Sequence, residues 1–143
     1  MRILAIALAA SCSLLLPAHA QQPQPGLWQV TTKSSGMGGP PRDHTSTSCI
    51  TPEQTKNLQS GFGPPENPQM PCKRTNYQQQ GNKVTFNVQC TMPNATSEGT
   101  GTFIFDTPTH YTAVMTNSIN MQGQKITTTT NIEGRRIGEC PAK

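Results

Sequence analysis

The chain has 143 residues, a formal net charge of +4, and only 13% charged and 5% aromatic residues. The basic groups are scattered and form no stripe interleaved with aromatics, which excludes the usual nucleic-acid surface. No apolar stretch reaches the length of a membrane-spanning helix.

Met1 and Arg2 give a positive start, residues 3–16 are almost wholly apolar, and Ala18-His19-Ala20 supplies a small-x-small cleavage site. Residues 1–20 are therefore expected to be a cleavable export signal, and residues 21–143 a single domain, periplasmic or secreted. Cys12 lies inside the apolar stretch and goes with the signal. Four cysteines then remain, Cys49, Cys72, Cys90 and Cys140. In an oxidising compartment they read as two disulfides, which a domain so poor in large side chains needs to restrict its unfolded state.

Residues 26–33 alternate Trp28, Val30 and Thr32 against Leu27, Gln29 and Thr31 and predict the first strand. A loop rich in Gly and Pro follows, and residues 43–50 return as a second strand. Thr51 before Pro52 starts a short helix that Gly61 ends. After a Pro-rich crossing, residues 73–79 and 83–91 flank Gln80-Gly81-Asn82 as a hairpin, with Val84, Phe86, Val88 and Cys90 on one face. Cys72 and Cys90 share that face if the turn holds three residues or if a bulge intervenes, and a three-residue turn fits. Further strands are predicted at 98–106, 109–119 and 124–137. The reading is all-β: about seven antiparallel strands as a curved sheet, small barrel or sandwich, with one short helix over an edge or an end.

Strand direction bears on the cysteines. With hairpins from Cys72 onward, Cys72 and Cys90 lie at one end of the sheet and Cys140 at the other. If residues 51–71 carry the chain across, Cys49 joins Cys140; if they do not, three cysteines crowd one end. The chosen pairing is Cys49 with Cys140 and Cys72 with Cys90.

Pro25-Gly26-Leu27-Trp28, Cys49-Ile50-Thr51-Pro52-Glu53, the Cys72 and Cys90 hairpin, and Gly134-Arg135-Arg136-Ile137-Gly138-Glu139-Cys140 together resemble the bacterial secreted family catalogued as domain of unknown function 3617. Gln29 stands where similar sequences often carry an acidic residue. The resemblance implies an exported protein with this cysteine framework, and it brings no activity, ligand or catalytic residue with it.

Chemistry is sparse. His-Glu-x-x-His, Cys-x-x-Cys, Gly-x-Ser-x-Gly and phosphate-binding glycine motifs are all missing. His44 and His110 have no acidic or thiol partner at motif spacing, and the carboxylates form no evident pair. Met37, Met70, Met92, Met115 and Met121, with the histidines, form a soft ligand set of the kind that takes Cu(I), although methionine also fills small cores. One of Arg135 and Arg136 leans inward unless a bulge at Gly134 turns both out. The Thr127 to Thr130 run is ordinary strand preference, with a sugar- or ice-binding ladder as a remote alternative.

The expectation is a non-enzymatic binding or interaction module of the cell envelope, without catalytic residue, metal or cofactor. Trp28, Phe86, Tyr111 and Arg135 are the candidate ligand-facing residues, and the partner is a small apolar ligand or an envelope protein. A Met/His metal-handling protein and an enzyme of unrecognised type are the alternatives. Clustered methionine sulfurs would favour the first of these two.

Overall fold

The structure is a computed structural model that describes residues 22–36, 40–62, 71–92 and 95–142. The export signal, Met37 and Met70 lie outside the described residues. Seven strands are present: β1 Gly26–Gly36, β2 Arg42–Ile50, β3 Cys72–Gln80, β4 Lys83–Met92, β5 Ala95–Thr107, β6 His110–Met121 and β7 Gln124–Gly138. Between β2 and β3 run the helical turns α1 Pro52–Lys56 and α2 Leu58–Gly61. All strand pairs are antiparallel and form one open, curved sheet in the order β2-β1-β7-β6-β5-β4-β3. The sheet neither closes into a barrel nor splits into a sandwich, and β2 and β3 are its edges.

Period-2 alternation decides the inner face. Trp28, Val84, Phe86, Phe103, Tyr111 and Ala113 are buried along it, while Gln29, Asn87, Ile104 and Thr112 between them are not. Two strand glycines make room for this packing. Gly134 lies opposite Tyr111 and Gly101 opposite Phe86, and a β-carbon at either position would overlap the facing ring. The aromatic covers the glycine across the ladder, a pairing that fixes register.

The helical turns cover the inner face, where an edge or an end of the sheet was expected. Thr51 caps α1: its hydroxyl accepts from the Gln54 amide, and the Gln54 side chain accepts from the Thr51 amide at 2.9 Å, with Pro52 in the first turn. Asn57 breaks the helix and caps α2 by accepting from the Gln59 amide. The chain is thereby steered so that Leu58 and Phe62 drop into the core, Phe62 meeting Phe105, Tyr111 and Phe103 edge-on at 5.0, 5.5 and 5.9 Å.

The β3–β4 turn differs from the three-residue turn expected. Gln80 pairs with Lys83, so Gly81-Asn82 is a two-residue turn with Gly81 left-handed at φ 58°. Register is restored by a bulge between Thr75 and Gln78, where Asn76 is left-handed at φ 52°. Cys72 therefore stands directly opposite Cys90. The disulfides are Cys72–Cys90, with Cα atoms 4.0 Å apart, and Cys49–Cys140, at 5.5 Å. They sit at opposite ends of the sheet because residues 51–71 lead from the end of β2 to the start of β3. Two disulfides are the covalent signature of an oxidising environment.

Candidate functional site

Trp28, Phe86 and Tyr111 are 0%, 2% and 4% exposed. Trp28 lies 5.5 Å from Tyr111, and its indole N–H donates to the Gln24 carbonyl. Burial pushes the Tyr111 hydroxyl up to about 12. The space between the Trp28 and Phe86 faces is taken by Phe62, Phe103 and Phe105. These aromatics are the core.

The inward arginine is Arg136. It faces Trp28 across the ladder and donates through Nε to the Pro25 carbonyl at 2.7 Å, with Glu139 pairing its guanidinium. The bulge falls at Ile137, between the Leu27 and Trp28 pairings, and leaves Gly134 in regular register. Arg135 therefore points outward, exposed and paired with Glu133. A second guanidinium on the inner face, Arg74 of β3, lies 5.3 Å over the Phe86 ring, and its buried Nε has no partner among the described residues.

His110 does have acidic partners, contrary to the spacing argument. Its Nδ1 is 2.6 and 2.8 Å from the two Asp106 carboxylate oxygens, and its Nε2 is 3.1 Å from Glu133 Oε1, which Arg135 also holds. Asp106 reaches it across the β5–β6 turn, and Glu133 arrives because β7 pairs Arg135 with His110. Burial raises the Asp106 carboxyl, but the hydrogen bonds from His110 and from the backbone outweigh it and hold it below the ordinary value. Hydrogen bonds from His110 and Arg135 lower Glu133. Both ring nitrogens thus face carboxylates, in a clasp that ties β5, β6 and β7.

Met92 and Met121 flank Ala95 at one end of the inner face, Met115 packs against the core, His110 stands at the opposite end of β6, and His44 lies on edge strand β2. Among the described residues no group of three or more His, Cys, Asp or Glu is arranged to hold a metal ion.

The outer face carries a feature that sequence reading missed. A cleft of about 430 Å³ is lined by Thr75, Asn87, Gln89, Glu98, Thr100, Thr116, Ser118 and Lys125, over the backbone of Val88 and Gly99. Two cross-strand rows build it: Gln89, Glu98 and Ser118 in one, and Thr75, Asn87, Thr100 and Thr116 in the next. Ser118 is engaged within the sheet by Thr127 at 2.9 Å. Among the described residues no side-chain hydrogen bond or ion pair engages the others. The sequence signal for this cleft was the run of polar residues alternating with the core positions of β4, β5 and β6.

Two solved structures show a distant likeness. A protein of unknown function from the DUF3598 family of Nostoc punctiforme aligns with a TM-score of 0.42 at 10% identity, covering 87% of this chain and 53% of that one, so the chain spans about half its length. The S-type phycobiliprotein lyase CPES from Guillardia theta aligns with a TM-score of 0.40 at 16% identity, covering 82% of this chain and 89% of that one. No curated protein matches the sequence. The family described as "Protein of unknown function (DUF3617)" matches residues 23–140, and the chain belongs to that family.

Proposed function

We propose that the protein is a non-enzymatic binding module of the cell envelope, exported by residues 1–20, whose ligand surface is the outer cleft of β3 to β6. The single observation behind this is the contrast between the two faces. The inner face spends its aromatics on packing, whereas the outer cleft presents seven polar side chains that make no bond within the described protein. The sheet fixes the backbone spacing of these unpaired groups, so a partner meets donors and acceptors at set intervals. The double engagement of His110 by carboxylates supports a non-catalytic role for that residue.

Native mass spectrometry of protein purified from its source cells tests the reading. A co-purifying mass is expected on the wild type and on Trp28→Phe, and its loss is expected in Asn87→Ala/Gln89→Ala. Loss in Trp28→Phe with retention in the cleft variant would return the site to the aromatic face and overturn the proposal.

A further inference from the structure

Resting on that reading, we infer that the ligand of the outer cleft is a neutral saccharide of a few residues. The chemistry of the lining selects it. A sugar hydroxyl donates and accepts at once, and Asn87, Gln89, Thr75, Thr100, Thr116 and Ser118 are the side-chain types that do both. The two charged side chains that line the cleft, Glu98 and Lys125, are of opposite sign, so the lining itself favours neither a polyanion nor a polycation. Among the described residues no aromatic or large aliphatic side chain lines it, since Val88 packs its side chain against the core, which leaves an apolar ligand nothing to bury against. A volume of about 430 Å³ lies in the range of small-molecule sites, roughly 300–1,000 Å³. The geometry also suits a chain of rings. The two rows cross β4, β5 and β6 at the strand spacing of about 4.8 Å, and they run perpendicular to the strands, so successive hydroxyls meet successive strands.

The test is an amide NMR titration of ¹⁵N-labelled residues 21–143, disulfides intact, with maltotriose, cellotriose and chitotriose as neutral probes and trigalacturonate as the acidic one. Saturable shifts are expected with at least one neutral probe, confined to Gln89, Glu98, Gly99, Thr100, Thr116 and Ser118. Asn87→Ala/Gln89→Ala should weaken that binding about tenfold or more, while Thr47→Ala on the edge strand should leave it unchanged. Preserved spectral dispersion in each variant separates lost binding from lost fold. No saturable shift with any neutral probe, tighter binding of trigalacturonate, or shifts confined to other surfaces would overturn the inference. If the cleft variant loses a co-purifying mass that is not a saccharide, the ligand class falls and the binding-module reading stands. If it loses neither, both fall.

Discussion

Gly134 shows how one residue without a side chain positions the largest ones. The Tyr111 ring occupies the volume that a Gly134 β-carbon would need, and that ring in turn packs on Trp28, Phe62, Phe103 and Phe105. Gly134→Ala is expected to displace Tyr111 and cost about 1–3 kcal/mol, the range of core overpacking, read from the midpoint of urea unfolding. The alternation around Trp28 and Phe86 was legible because a period of two needs no knowledge of partners. What filled the space between them was not. Phe62 enters from a segment 34 residues beyond Trp28, and only the Thr51 cap and the Asn57 break aim it there. Likewise, the choice between Arg135 and Arg136 turned on the pairing of β7 with β1 and β6, which sets Arg136 on the same face as Gly134 and Ile132 and which local sequence does not announce.

At the scale of elements, register creates the chemistry that spacing hides. Asp106, His110 and Glu133 come from β5, β6 and β7 and meet only because the β5–β6 turn is tight and β7 pairs His110 with Arg135. Both carboxylates have folded-state pKa values below their ordinary ones of 3.8 and 4.5. A lowered carboxylate stabilises the fold above its unfolded pKa and loses that contribution as pH falls through the folded one. Both carboxylates are ionised at neutral pH, and their contribution fades below about pH 4.5. Glu133→Gln is expected to lower Tm at pH 7 and to flatten the acid limb of the Tm profile; a limb as steep as the wild type's would show that Glu133 does not contribute. The β3–β4 hairpin teaches the same lesson. Sequence parity required either an odd turn or a bulge, and the left-handed Asn76 makes it a bulge in the edge strand, where it also roughens an edge open to pairing.

Over the whole molecule, the two disulfides fasten the two edges of the open sheet. β2 has every residue from Arg42 to Cys49 exposed, so burial scarcely holds it; Cys49–Cys140 ties it across β1 to the end of β7. Cys72–Cys90 fastens β3 to β4 at the opposite end. The closed segments span 91 and 18 residues, so the loop-entropy model gives about 4–5 kcal/mol for the first and about 3 kcal/mol for the second. Cys49→Ala/Cys140→Ala should therefore destabilise the protein more than Cys72→Ala/Cys90→Ala in denaturant unfolding. The framework was legible at this scale because strand count and direction place the cysteines, while sheet closure was not, since it depends on whether β2 and β3 meet.

The central claim, that the inner face is closed core and leaves binding to the outer face, is tested most directly by the fluorescence of Trp28, the only tryptophan. In folded protein with intact disulfides, the account predicts blue-shifted emission and acrylamide quenching several-fold weaker than in the unfolded, reduced chain, both unchanged by the neutral trisaccharides. Emission at the wavelength of a solvated indole, with quenching as strong as in the unfolded chain, would contradict it.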